Sequence, residues 1–577
     1  LRHFRYFLPD ALEMTLTLKR GEKDMFENFH RTKGIRKHSA ILLLAIGLLI
    51  RLPMLGEPLV EGYRTAQTAT LTAGMIEDDR LRMDPIAPWR GDLDARVVQE
   101  LPIYNLAVLA VHTLPGISLD IAGRAVSLIF WILSFIALQS LWRRTLPPSS
   151  RIWANLLFVL APMNWYLSTT FMPETLIQWL AIVFLVVAID YGRSGNGPLL
   201  VGLIFVAAMG LLVKLPAFAH LGVFLALVMV DRRGVRSLFH PGLLVGGAFL
   251  ILAIVGWGKY VESVNTAYFS YWCGWEGLKG FLWPSFSRFS ASYYIPLIGY
   301  NLAFILPLVA APFALVGLVV NSLCLRSSYR SRIWTYLFGS LILYWLVWGK
   351  AAPAQNYYNL PNLVLFSALF GMGVTRISFW LRRRSRAAWI VPLGQAALIL
   401  ALAASGVAGV RYLSRPDEVT MEVAGWVKAN ARPNDLILYQ PRHAATVMDY
   451  EHQPLLSHLT GRRTWIWTRY TPDAEKDRAL QTAAFAVVTN PPQKTGALEN
   501  LRRKFKGQPN PPPQPFTETH AGQFIEYFKT ETFTVYRRSH RQDAENHTGS
   551  GTPDGRLPDL DQRFSQSHRR PRMAAAD

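Results

Sequence analysis

Ionisable side chains keep to the margins of this chain's apolar blocks. Three acids, Glu61, Glu100 and Glu174, stand at such margins, as do the isolated bases Arg64, Lys214 and Lys350 and the paired tyrosines Tyr357 and Tyr358. Carboxylates in these positions can move protons, and lone cations can hold an anionic group, at a boundary between water and hydrocarbon. Within the blocks there is almost no charge beyond Arg51, Arg124 and Asp190 near their edges. A carrier coupled to protons or ions places carboxylates at mid-membrane, so this distribution argues against one. Each group also has a plainer reading. Glu61 could be a solvated loop acid, and Glu100 and Glu174 could be first-turn acids favoured by a helix dipole. The lysines could snorkel to headgroups, and the tyrosines could belong to an aromatic belt.

The blocks define what must position these groups. With 51% hydrophobic and 12% aromatic residues over 577 positions and a mean hydropathy of +0.18, the composition is that of a polytopic helical membrane protein. A helix needs ~20 apolar residues to cross the hydrocarbon. Spans are expected at 38-54, 121-141, 152-170, 175-191, 198-214, 216-231, 241-258, 295-320, 333-349, 358-375 and 388-411. Such a count, about eleven, puts the termini on opposite sides. The loops on the amino-terminal side carry Arg143, Arg144, Arg151, Arg232, Arg233, Arg330, Arg332 and Arg382 to Arg384 with few acids, which by the positive-inside rule makes that side cytoplasmic. The net charge of +21 is thus spent on topology. It is not gathered on a soluble face as nucleic-acid binding would need, and no nucleic-acid partner is expected.

Two long loops face the other side. The first, 55-120, is acidic and contains an amphipathic stretch, Leu101 to Leu114, too short to span and suited to an interfacial helix. The second, 259-294, is dense in aromatic residues around Trp272, Trp275 and Trp283. After the spanning region, 38-412, residues 413-540 read as a small extracytoplasmic α/β domain. A helical pattern runs over Val419–Ala429, with strands at Asp435–Tyr439, Ala484–Thr489 and Phe533–Tyr536. Segment 1-37 reads as cytoplasmic and 541-577 as a disordered tail. Chain numbering begins at Leu1, and Met25 is a candidate initiator. The only cysteines, Cys273 and Cys324, fall on opposite sides of the expected membrane, so no disulfide is expected.

Several short motifs follow one another in the chain: Glu61-Gly-Tyr-Arg-Thr-Ala-Gln-Thr-Ala69, Pro88-Trp-Arg-Gly91, Gln99-Glu-Leu-Pro-Ile-Tyr-Asn105 and Gly123-Arg-Ala-Val-Ser127. Phe171-Met-Pro-Glu174, Lys214-Leu-Pro216 and Asn356-Tyr-Tyr-Asn-Leu-Pro361 come after them. Their order resembles that of family 39 glycosyltransferases, membrane enzymes of the GT-C fold that include protein mannosyltransferases and the lipid A aminoarabinose transferase.

The resemblance implies transfer of a sugar from a polyprenyl-phosphate carrier to a lipid, glycan or protein acceptor at the outer face of a bacterial inner membrane, with inversion. It implies a roster of site residues: Glu61 as first choice for the base, Glu100 and Glu174 as further catalytic acids, and Arg64, Gln67, Lys214, Tyr357 and Tyr358 as substrate-binding groups. Relatives carry Asp where Gln67 stands and Trp where Tyr63 stands, which keeps open a non-catalytic relative that binds lipid-linked glycans. A lipid or oligosaccharide transporter is the other alternative. No nucleotide site is required, and no cofactor is assigned. The histidines show no paired spacing and no metal site is expected, though a divalent cation is compatible with the acids.

Overall fold

The computed structural model describes residues 33–57, 64–77, 83–267, 291–325, 328–347, 356–384, 387–441, 454–467, 471, 473–489 and 523–538. The amino-terminal segment, the tail 541-577, most of the aromatic second loop with Cys273, and also Glu61, Tyr63 and Lys350 lie outside these residues.

The chain is mostly helical. It begins with α1 (Lys33–Leu49), α2 (Arg64–Glu77), α3 (Ile103–His112), α4 (Leu119–Thr145), α5 (Pro148–Leu160) and α6 (Pro162–Leu167). Next come α7 (Glu174–Ser194), α8 (Gly197–Phe218), α9 (His220–Arg233), α10 (Pro241–Ala267), α11 (Ala291–Tyr300) and α12 (Ala311–Leu323). The helical region closes with α13 (Tyr329–Val347), α14 (Leu363–Arg384) and α15 (Ile390–Leu413).

Among the described residues, 7 helices are long and apolar enough to cross a membrane, and all coincide with expected spans. The other four expected spans are helical but shorter, broken or more polar. Block 152-170 divides between α5 and α6 at Pro162, whose ring cannot continue the helix. Block 216-231 is the 14-residue α9. Block 295-320 is interrupted by a π-helical turn, Asn301–Ile305, before α12. The fourth, α13, opens on Arg330 and Arg332, which lower its hydropathy. As expected, the amphipathic stretch of the first loop is a short helix, the 10-residue α3.

Buried arginines staple the helices. Arg51, at the end of the first span, donates to Ser168 Oγ (2.6 Å) and Val159 O (3.0 Å) and lies 4.0 Å from the centroid of the Trp131 ring. Arg124 donates to Met54 O and Thr169 O, both at 2.9 Å. Peptide carbonyls at and just beyond helix ends thereby find charged donors, as buried polar groups require.

The carboxyl-terminal part adds α16 (Glu418–Asn430), β1 (Ile437–Gln440), α17 (Leu455–Thr460), β2 (Thr464–Ile466), α18 (Asp473–Thr482), β3 (Phe485–Thr489), β4 (Phe524–Lys529) and β5 (Phe533–Arg538). They form one mixed sheet of order β2-β1-β3-β5-β4. The β1 strand runs parallel to β2 and β3, while β5 is antiparallel to β3 and β4. The expected helix and three strands are present. The additional strands β2 and β4 are short or polar enough to be masked in sequence.

This sheet does not have a core to itself. Leu71, Ala87, Trp89 and Val97 of the first loop share one cluster with Val423, Val427, Ile437, Val487 and Val535. The edge strand β2 is extended by the loop: Thr464 N donates to Pro88 O (2.9 Å) and Gly91 N to Thr464 O (2.7 Å). Gly91 has φ +60°, and a Cβ there would fall 2.0 Å from the Trp465 ring, so no other residue fits without rearrangement. Arg90 reaches Glu475 at 2.7 Å with both side chains buried.

Candidate functional site

Helix α8 breaks in its carboxyl-terminal third. Pro216 has no N–H, so Leu212 O loses its helical donor, and Lys214 takes a non-helical backbone (φ −157°, ψ 77°). The freed carbonyl instead accepts from Leu101 N at 3.1 Å. One missing proton therefore turns Lys214 out of the helix and fastens beside it the loop that carries Gln99 and Glu100.

Lys214 is 2% exposed. Its ammonium contacts Glu174 Oε1 in a close ion pair and Glu100 Oε1 at 3.3 Å, and it lies 4.8 Å and 5.0 Å from the ring centroids of Tyr357 and Tyr358. Glu174, also 2% exposed, is supplied by the first turn of α7, directly after Pro173. The two tyrosines come from the 3-10 turn Asn356–Asn362 that leads into α14, their rings edge to face at 5.0 Å. Lys214 does not snorkel, then; it is enclosed by two carboxylates and two aromatic faces.

Arg64 opens α2 and completes the cluster. Its guanidinium donates to Gln67 Oε1 at 2.8 Å and makes close contacts with Gln99 Oε1 and the Glu100 carboxylate. Burial alone would lower its pKa, but the charges of Glu100 and Glu174 and the nearby Tyr357 and Tyr358 outweigh that and hold it well above the ordinary arginine value. Arg64 is a permanent cation here. Two basic and two acidic side chains thus meet in this one group.

Of the residues singled out in the sequence, Arg64, Gln67, Glu100, Glu174, Lys214, Tyr357 and Tyr358 meet at this one place, although they come from segments up to 294 positions apart (64 to 358). Glu61 and Lys350 lie outside the described residues. Sequence reasoning did not assign Gln99 to the site, although it heads the motif Gln99-Glu-Leu-Pro-Ile-Tyr-Asn105 and adjoins Glu100. Beside Arg64 and Glu100 lies a small open cleft, lined by polar Thr68, Gln99 and Asn105 and by apolar Leu71, Met83 and Val97. Tyr104, next to the cleft, is a strut: its hydroxyl donates to Gly123 O and pairs with Ser127 Oγ, each at 2.8 Å, and burial pushes its pKa up. Among the described residues no group of three or more His, Cys, Asp or Glu side chains is arranged to hold a metal ion.

No protein-family profile matches the chain, and no curated protein matches it in sequence. Solved structures do match in fold. ArnT from Cupriavidus metallidurans bound to undecaprenyl phosphate superposes with a TM-score of 0.55 at 11% identity, over 86% of this chain and 97% of that one. Its apo state gives 0.56 at 12% identity with the same coverage. The Archaeoglobus fulgidus oligosaccharyltransferase in complex with Zn and sulfate gives 0.50 at 10% identity, over 78% of this chain and 68% of that one. The chain is thus a multi-pass helical protein with a GT-C-like fold, carrying a small mixed sheet at its carboxyl-terminal end.

Proposed function

We propose that this chain is a membrane glycosyltransferase that moves a sugar from a polyprenyl-phosphate donor to a hydroxyl-bearing lipid, glycan or protein acceptor at the outer face of a bacterial inner membrane. The observation that carries the reading is Lys214, an enclosed lysine at a helix break, facing Glu100, Glu174, Tyr357 and Tyr358. Fold likeness to ArnT, solved with undecaprenyl phosphate, supports it.

In this reading the donor phosphate takes the place of a carboxylate on Lys214 and Arg64, and the tyrosine rings flank the bound headgroup. Charge-assisted hydrogen bonds from both cations then stabilise the phosphate as it leaves. The acceptor oxygen attacks the anomeric carbon from the opposite face, the carbon–oxygen bond to phosphate breaks, and its electron pair stays on the phosphate oxygen. Inversion follows from that single displacement. The acceptor's proton passes to a carboxylate. Glu61 is the first choice, because it stands just beyond the first span, where the resemblance implies an acidic residue. The cleft beside Glu100, lined by both polar and apolar side chains, suits an acceptor hydroxyl carried on an apolar stem. Eleven spans, a cytoplasmic amino terminus and a periplasmic carboxyl-terminal sheet complete the proposal.

The test is sugar release by the purified protein in lipid from radiolabelled polyprenyl-phosphate sugars, with wild type beside Glu61→Gln, Glu100→Gln and Lys214→Met. Turnover of one donor that Glu61→Gln and Lys214→Met abolish is the expected result. Binding of undecaprenyl phosphate without turnover of any donor would favour the non-catalytic binding relative, a reading that the neutral Gln67 keeps in view. Absence of both would overturn the proposal.

A further inference from the structure

Glu100 is tethered on both sides through the backbone of its neighbours. Downstream, Leu101 N is held by Leu212 O. Upstream, Asn265, 1% exposed near the end of α10, closes a two-point clamp on Val98: Val98 N donates to Asn265 Oδ1 at 2.9 Å and Asn265 Nδ2 donates to Val98 O at 2.8 Å. The side-chain amide thereby imitates the peptide of a neighbouring strand. Only Gln99 and Glu100 lie between the two anchors, and both reach Arg64.

Such an arrangement is more than a buried asparagine finding partners. A clamp that satisfies both the donor and the acceptor of one residue fixes where that residue sits along the chain. With Val98 fixed, the carboxylate two residues on has little freedom beyond its own rotamers. Without the clamp, the backbone before Gln99 would still be tied by the bridge Ile86–Arg96, the Val97 N to Pro85 O bond (3.1 Å) and Arg96 Nη1 to Asp84 O (3.0 Å), but its nearest backbone anchor to Glu100 on that side would be gone. We infer that Asn265 is a positioning residue that holds Glu100 over Lys214 and Arg64. The purpose served by that position rests on the transferase reading; the position itself does not.

The experiment therefore reads the geometry and not turnover. Full-length protein in detergent is treated with formaldehyde and a borane reductant, and methylation of Lys214 is followed by mass spectrometry. Hydrogen exchange of peptides covering Val98 is followed in parallel. In the wild type Lys214 is shielded. Asn265→Ala is expected to accelerate exchange at Val98 and to raise Lys214 methylation severalfold, and Glu100→Gln alone is expected to raise it similarly. Combining the two changes should label Lys214 no faster than Glu100→Gln does, because Asn265 acts through Glu100. Asn321→Ala, which removes a buried asparagine bond to Thr335 between α12 and α13, controls for general loosening. Faster exchange at Val98 with Lys214 still shielded would overturn the inference. So would additive effects in the double variant, or equal labelling in Asn321→Ala. Loss of donor turnover in the transferase assay bears on the proposed function and leaves these outcomes readable.

Discussion

Leu101 N–H donates to Leu212 O at 3.1 Å, a carbonyl that is free because the residue four positions on is Pro216. This hydrogen bond joins the acidic first loop to the break in α8 and brings Glu100 to 3.3 Å from Lys214. Pro216→Ala would restore a competing donor within the helix. The expected outcome is a straighter α8, a Lys214 displaced from Glu100, and donor turnover reduced at least tenfold. Thermal stability would hold or rise, since Pro in a helix interior costs ~3 kcal/mol. Turnover and unfolding temperature measured on the same preparation check it. A variant that is both active and more stable would mean the break serves no site.

Burial makes Lys214 costly to remove. Lys214→Met leaves Glu174 as an unpaired, enclosed carboxylate, and breaking such a pair costs about 3–5 kcal/mol. Lys214→Met should therefore lower the unfolding temperature sharply. Adding Glu174→Gln should recover most of that loss without recovering any donor binding. If the single variant is as stable as wild type, the pair is not closed to water in the membrane.

Much of this site was legible in the sequence, and for a physical reason. Seven of the residues that meet here were visible as charged, amide or aromatic groups at the margins of apolar blocks or within motifs of fixed order, places where an unpaired charge is expensive and so needs a purpose. Pairing was not legible. Nothing in the sequence says that Glu174 meets Lys214 or that Arg64 collects Gln99 and Glu100, because those pairings arise from tertiary packing across long separations. Asn265 was hidden for the same reason, since one amide at the end of an apolar block has no periodic signature. The fold was legible in its seven long helices, less so where Pro162 and the π-turn at Asn301–Ile305 break a block, and least in β2 and β4. The strand β2 has 3 residues, and β4 presents a largely exposed surface, so neither offers the alternation that marks a half-buried strand.

The junction between first loop and sheet allows a comparison of two ion pairs. Arg90–Glu475 is buried, whereas Arg478–Asp92, at 2.9 Å, is on the surface. Arg478→Ala should change stability by less than about 1 kcal/mol. Arg90→Met should destabilise by several times that, because it breaks a buried ion pair. Gly91→Ala should also loosen the junction, as its methyl would collide with Trp465. Limited proteolysis of the segment after Leu413, compared with the thermal unfolding of each variant, reads all three.

Alkaline pH should weaken the carboxyl-terminal sheet through Tyr439. Its phenol is buried beneath α16, 3.0 Å from Thr420 Oγ1, and burial pushes its pKa up, with Asp417 adding to the shift and the Thr420 hydrogen bond opposing it. A group whose folded pKa is raised contributes stability that is fully present below the unfolded value, near ~10 for tyrosine. That contribution then falls as pH climbs past ~10 toward the folded value, because the unfolded chain releases a proton that the folded one retains. Tyr439→Phe forfeits the Thr420 hydrogen bond, a loss of about 0.5–1.5 kcal/mol at neutral pH, but it cannot ionise. Unfolding temperatures followed from pH 8 to 11 should therefore fall less steeply for Tyr439→Phe than for wild type, with the two curves converging at the alkaline end. Parallel curves across that range would mean that Tyr439 is reached by water and that the burial described here does not persist in solution.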